Sequence, residues 1–91
     1  MSAEWTFAQT DPTQELCQIH QFGVKNKQGI EFVICVREYV TPRDPAMRFL
    51  ATADKMVNQK SGAILPSGWG KTLLDALSDC IRAVNRFPYE A

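Results

Sequence analysis

The chain has 91 residues, which is enough for one domain and too few for a second core. An apolar fraction of 45% is typical of a globular protein and excludes a disordered chain. The formal net charge is zero, but residues 21–72 carry twice as many basic as acidic side chains. This basic middle is consistent with an anionic partner or with a solvated strand face.

Residues 1–10 have neither the basic start nor the apolar run of a secretory signal. The longest apolar run, residues 32–36, is too short to span a membrane. We therefore expect a soluble, cytoplasmic chain that does not associate with membranes.

The first predicted elements are an irregular arm and a short helix. Residues 1–10 form the arm, with Trp5 and Phe7 as possible anchors on the core. Asp11 then suits an N-cap and Pro12 the first helical position, so residues 12–20 are predicted to be helical. The alternative is an early strand over residues 17–24, and both interpretations stay open.

The next pattern is a β-hairpin. Residues 22–25 and 30–40 are its arms, and the intervening turn contains Asn26 and Gly29. Alternation in the second arm places Ile30, Phe32, Ile34 and Val36 on the face expected to enter the core. The opposite face carries Val33, Cys35 and Tyr39, and it is either solvated or a contact surface.

Two further strands are predicted. Residues 47–54 form the third strand, with Met47, Phe49, Ala51 and Ala53 facing inward. Residues 58–62 form a polar turn, and residues 63–65 form a short fourth strand before Pro66.

The last element is an amphipathic helix over residues 72–87, within a single domain spanning residues 1–91. Thr72 is the predicted N-cap, and Asp75 completes a capping box. The apolar stripe recurs at three- and four-residue steps, and Pro88 ends the helix. The stripe consists of Leu73, Leu77, Cys80, Ile81, Val84 and Phe87.

One apolar sheet face and one apolar helix stripe bury each other most simply in two layers. The predicted fold class is therefore an α+β two-layer sandwich. Its three- to four-stranded antiparallel sheet is packed by the long C-terminal helix and by a short N-terminal helix.

Gly70, Lys71 and Thr72 imitate a phosphate-binding loop. That loop needs a glycine five residues before its second glycine, and the chain has Leu65 there. We therefore interpret residues 68–72 as a glycine turn with a helix cap. The helix N-terminus could hold a single anion, although the residues need none.

The sequence indicates neither an enzyme nor a bound cofactor or metal. His20 is the only histidine, and no carboxylate or second ligand is signalled for it. The three cysteines are widely separated and are interpreted as buried free thiols.

Trp69 lies between two glycines. We weigh two interpretations, a lid folded over the end of the core and an exposed anchor for a partner, and the lid is favoured.

The element order, α-β-β-β-α with a Gly-x-Gly turn at Gly68–Gly70 before the last helix, resembles the double-stranded-RNA-binding domain. The resemblance implies phosphate contacts from the start of the final helix. That family has a lysine cluster there, and this chain has Lys71 alone. Lys25 and Lys27, in the hairpin turn, are the other positions that match a plausible contact.

Two further likenesses are fainter. Thr72 with Ala76 and Leu77 is similar to the sheet-to-helix junction of HicB-type antitoxins. The tail of Phe87, Pro88 and Tyr89 resembles that of small bacterial proteins of uncharacterised function, and this likeness implies no function.

The expected function is that of a non-enzymatic binding module. A protein partner or self-association comes first, through a sheet edge or the face bearing Val33, Cys35 and Tyr39. Nucleic acid bound by the basic hairpin and the helix N-terminus is the alternative. The candidate partner-binding residues are Tyr39, Trp69, Lys71, Lys25 and Lys27.

Overall fold

The computed structural model describes residues 4–42 and 44–90. Its sheet has strands β1 (Cys17–Lys25), β2 (Glu31–Tyr39), β3 (Phe49–Ala53) and β4 (Ser67–Gly70), in that order and all antiparallel. Helix α1 (Gln59–Gly62) is a single turn, and helix α2 (Leu73–Arg86) covers one sheet face. Two short 3-10 helices span Glu4–Ala8 and Pro45–Met47. The predicted α+β two-layer sandwich is confirmed.

The β1–β2 hairpin forms around the predicted turn. The Asn26 side chain accepts hydrogen bonds from the backbone N–H groups of Gln28 (2.9 Å) and Ile30 (3.0 Å). Gly29 has φ of 79°, a left-handed conformation that glycine adopts without steric cost. In the second arm Phe32, Ile34 and Val36 are fully buried, as the alternation predicts.

Helix α2 begins where the sequence predicts. The Thr72 hydroxyl accepts from the Asp75 N–H at 3.1 Å and caps the first turn. Ala76, Cys80 and Val84 are buried on the side that faces the sheet, while Leu73, Leu77 and Ile81 are half-buried beside them. The helix therefore buries one stripe, and its 70%-exposed Leu74 lies outside that stripe.

Helix α2 packs directly against β4 at two glycines. A Cβ atom added to Gly68 would lie 2.6 Å from Asp79 Cβ and 2.8 Å from the Cys80 nitrogen. One added to Gly70 would meet Asp75 in the same way. The helix thus lies directly on the β4 backbone, which only glycine allows.

The C-terminal tail, residues 87–90, closes the hairpin end of the core. The Tyr89 backbone exchanges two hydrogen bonds with the Gln28 side chain, at 2.8 and 3.1 Å. Its ring packs edge-on against Phe32, with ring centroids 6.1 Å apart. The Asn58 N–H donates to the Pro88 carbonyl at 2.8 Å, so the tail also fixes the residue before α1.

The predicted helix over residues 12–20 is wrong, and the alternative strand is confirmed as β1. Asp11 does accept hydrogen bonds from the Thr13 N–H and hydroxyl, but they close only a turn. The backbone then pairs with β2 from Cys17 onward. The only helical turn before it is Glu4–Ala8, inside the predicted irregular arm, whose first three residues lie outside the described range. Phe7 is 78% exposed and is not an anchor.

Two strand boundaries also differ from the prediction. Met47 belongs to a 3-10 helix and is 44% exposed, so β3 begins at Phe49. Ile64 makes only an isolated bridge with Val57, and the fourth strand is Ser67–Gly70. Gly68–Gly70 is therefore a strand and not the turn that its glycines predict.

We predict that Gly68→Ala lowers the free energy of unfolding by about 1–3 kcal/mol or more, because its methyl group would overlap the α2 backbone. The matched control is Gly23→Ala in β1, where an added Cβ lies 4.0 Å from its nearest neighbour. This control should stay within about 0.5 kcal/mol of the parent. Urea denaturation followed by circular dichroism measures both. Equal stability of the two variants would contradict the packing of α2 on β4.

Candidate functional site

No second layer formed by residues 4–42 and 44–90 covers the sheet face opposite α2. Strand alternation and register place rows of side chains on it, which we call the open face: Ile19, Arg37, Leu50 and Trp69 in one row, Gln21, Cys35, Thr52 and Ser67 in the next, with Val33 and Tyr39 at the flanks. Within residues 4–42 and 44–90, α2 is the only helix longer than five residues, and it packs on the other face. Ile19 is 52% exposed and Trp69 44% exposed.

Trp69 lies on the open face because the glycines on either side of it occupy the positions that face α2. Gly68 and Gly70 face α2, so the residue between them must point to the opposite side of the sheet. The favoured prediction, a lid over the end of the core, is therefore wrong. The indole lies on the outer surface of β4. This is the position that the alternative interpretation of Trp69, an exposed anchor, expects.

A cleft lies at the end of the open face where β2 ends. Its volume is about 410 Å³, and it is lined by Tyr39, Trp69, Met47, Pro42 and the carboxylates Glu15 and Asp44. We call it the Tyr39–Trp69 cleft. One Asp44 oxygen accepts from the Ala46 N–H at 2.9 Å, which caps the Pro45–Met47 helix and positions Met47.

The N-terminal segment brings Glu15 to the cleft. The Leu16 N–H donates to the Gln9 side chain at 2.9 Å, and the Leu16 carbonyl accepts from Val40 at 3.2 Å. This second bond extends the β1–β2 pairing beyond Cys17. Glu15 is consequently held next to the end of β2, where Tyr39 lies.

The five predicted partner-binding residues do not form one site. Tyr39 and Trp69 share the cleft, and Lys71 lies beside Trp69 in a neighbouring groove. Lys25 and Lys27 are at the hairpin end of the sheet. The nine residues of β2 separate the two ends by about 26 Å.

A group of polar side chains around Glu38 lies outside the open face. Glu38 is 3.5 Å from His20 Nε2 through one oxygen and 3.4 Å from Arg48 through the other. His20 is therefore a strand residue beside a carboxylate, a contact that the sequence does not signal. In the described part of the chain, no group of three His, Cys, Asp or Glu residues is placed to hold a metal ion.

The cysteines occupy two environments. Burial raises the pKa of the Cys80 thiol to about 11, and the neighbouring Asp79 carboxylate adds to the rise. The thiol donates to the Pro66 carbonyl at 3.5 Å. Cys17 and Cys35 are half-buried in β1 and β2, so the prediction of buried thiols holds fully only for Cys80.

Sequence reasoning missed five residues of the open face and the cleft: Ile19, Leu50, Met47, Glu15 and Asp44. Ile19 was hidden by the helix prediction, and Met47 was expected to face inward. Asp44 stands between two prolines, where its capping role has no periodic signal.

Comparison with known proteins adds no relative. No family model, curated protein or solved structure matches the chain. In the described residues, no helix has the length and apolar character needed to cross a membrane.

We predict that iodoacetamide at pH 8 modifies Cys17 and Cys35 in the native protein and spares Cys80, because Cys80 is buried and protonated. Peptide mass spectrometry identifies the modified thiols, and the urea-unfolded protein, in which all three react, is the control. Cys80 labelling as fast as Cys35 labelling would contradict the assignment.

The pKa of Cys80 also predicts how stability changes with pH. Since the pKa of this thiol in the folded protein exceeds its ordinary value of 9.0, the unfolded chain releases the proton at lower pH. The Cys80 contribution to stability should therefore fall between about pH 9 and 11.

Proposed function

We propose that this chain is a non-enzymatic binding module that recognises a protein partner through the open face of its sheet. The observation that carries the proposal is Trp69, which is 44% exposed on a face that the described residues leave without a second layer. It shares one row across the sheet with Leu50, its direct neighbour, and with Arg37 and Ile19 beyond.

The composition of this surface supports a protein partner. Aromatic residues, Met and Arg are enriched at protein interfaces, and charged residues are depleted at interface centres. Trp69, Tyr39, Met47 and Arg37 supply the enriched types, and Arg37 is the one charged residue within the two central rows. Trp, Tyr and Arg are also the residues that most often dominate binding energy.

The size of the surface indicates a reversible complex. Nine residues of β2 and four strands outline an area of about 26 Å by about 19 Å, on the order of 500 Å². A stable interface buries about 800 Å² on each partner. The open face alone lies below that value, so we expect moderate affinity.

The distribution of charge favours a protein over nucleic acid. A phosphate backbone needs several cations along one groove, and here Lys71 is separated from Lys25 and Lys27 by the length of the sheet. Glu15 and Asp44 would in addition repel phosphate at the Trp69 end.

Because its three cysteines are free thiols, we place the module in a reducing compartment, the cytoplasm.

We predict that Ile19→Asp weakens partner binding about tenfold or more, since it replaces an exposed apolar side chain of the open face with a charge. The matched control is Leu74→Asp, which changes an apolar residue on the outer side of α2 that is more exposed than Ile19. The partner is captured from a native lysate with the parent protein, and calorimetry with the purified partner gives the affinities.

Thermal denaturation should show both variants folded. Equal weakening by Leu74→Asp and Ile19→Asp would place the interface elsewhere. Sedimentation equilibrium of the parent protein tests whether a second copy of the chain occupies the open face. A dimer that Ile19→Asp dissociates would mean that the partner is another copy of this chain and not a different protein.

We predict that short double-stranded RNA, added to the labelled protein at low salt, causes no connected pattern of amide shifts. Lys25, Lys27 and Lys71 are too far apart for one phosphate track. Salt-sensitive shifts at all three positions, abolished by Lys71→Glu, would instead support the nucleic-acid alternative and the resemblance from which it came.

A further inference from the structure

The Tyr39–Trp69 cleft combines aromatic walls with negative charge. Tyr39 follows Cys35 and Arg37 on the open face, and Trp69 is two strands away and two residues further along. On ideal sheet spacings their Cα atoms are about 12 Å apart. Met47 and Pro42 fill the intervening wall, so the cavity of about 410 Å³ is bounded mainly by apolar groups.

Two carboxylates and Thr41 complete the lining. Glu15 reaches the cleft from the segment before β1, and Asp44 from the loop after β2. Among the described residues, no basic side chain lines this cavity. A ligand that enters therefore lies beside two carboxylates and two aromatic side chains.

These features specify the ligand's chemistry. Cations are attracted to the faces of Trp and Tyr rings, and pockets with aromatic walls are a common means of binding quaternary ammonium groups. An unmodified lysine ammonium is compact and strongly hydrated, so burying it against Met47 and Pro42 is unfavourable. Methyl groups on the nitrogen remove donors and spread the charge over an apolar surface, which matches these walls.

We propose that the Tyr39–Trp69 cleft binds a methylated ammonium group, carried on a lysine side chain of the protein partner. The choice of a protein side chain as the carrier rests on the proposed function. The binding of the ammonium group itself rests only on the cleft. Trp69 and Tyr39 provide the ring faces, and Glu15 and Asp44 provide the counter-charge.

Fluorescence of a single tryptophan tests the cleft directly. Trp5→Phe leaves Trp69 as the only indole, and tetramethylammonium is titrated as the minimal probe. We expect saturable changes in Trp69 emission with tetramethylammonium and with choline, and none with 3,3-dimethylbutan-1-ol, the neutral isostere of choline. Equal responses to choline and its isostere, or no response to tetramethylammonium, would overturn the proposal.

Charge-removing variants test the carboxylates. Glu15→Gln and Asp44→Asn keep the side-chain shape, and the asparagine retains an oxygen that caps Ala46. Each should weaken tetramethylammonium binding about twofold to fivefold, and the double variant more. The matched control Glu31→Gln, at the hairpin end of the sheet, should leave binding unchanged. An equal effect of the control would reduce the observation to general charge attraction and overturn the site.

The source of the ammonium group is tested with two further ligands. A peptide containing trimethyllysine should bind at least about threefold more tightly than choline and than the same peptide with unmodified lysine. Choline binding more tightly than the peptide would overturn the protein side chain as occupant. Tight binding of the unmodified peptide would overturn the role of methylation.

Failure of this proposal and failure of the proposed function are separable. If Ile19→Asp abolishes partner capture while tetramethylammonium does not bind, the open face functions without an ammonium site. If tetramethylammonium binds while no partner depends on Ile19, the cleft is a small-ligand site and the protein-binding proposal is wrong.

Discussion

The contact on which the rest of the structure depends is that of α2 with the bare backbone of β4. Side chains at Gly68 and Gly70 would occupy the space that the helix backbone needs, so both positions must face α2 without a Cβ. Alternation along a strand then leaves Trp69 no direction except away from the helix. One packing constraint therefore closes the core and exposes an indole on the other face. The same requirement explains why a glycine-rich segment, which has the composition of a turn, is a strand here.

The parts of the fold that local chemistry determines could be predicted from the sequence. The Thr72 cap and the Asn26–Gly29 turn each form bonds within a few residues, so their signals survive in any tertiary context. The choice between helix and strand for β1 could not be made in this way. Cys17 and Ile19 lie on the open face, whereas Phe22 and Val24 lie on the helix side, so its apolar positions follow no single period. Only pairing with β2 makes that sequence a strand, and this information is distant in the chain.

The candidate site likewise has parts that the sequence predicts locally and parts that depend on distant pairing. Tyr39 and Trp69 are recognisable from the sequence because aromatic residues at non-core positions stand out individually. Their proximity depends on the register across β2, β3 and β4, which no local pattern contains. Glu15 and Asp44 come from two segments that share no strand, and only the extension of β1 pairing at Leu16 and the Asp44 cap bring them together. The three lysines show the opposite case. Lys25, Lys27 and Lys71 belong to one basic stretch of the sequence, but the fold places them at opposite ends of the sheet.

The two ends of the sheet are built differently, and this difference bears on function. At the hairpin end the chain uses its own tail to finish the core, with Tyr89 packed on Phe32 and bonded to Gln28. At the other end Tyr39 and Trp69 remain beside an open cleft that holds two carboxylates. A chain selected for stability alone would cover these rings or replace them with polar residues, since exposed aromatic surface favours aggregation. An apolar cleft with a defined charge is instead what recognition of a cationic group requires. This end of the sheet is therefore where the proposed partner would bind.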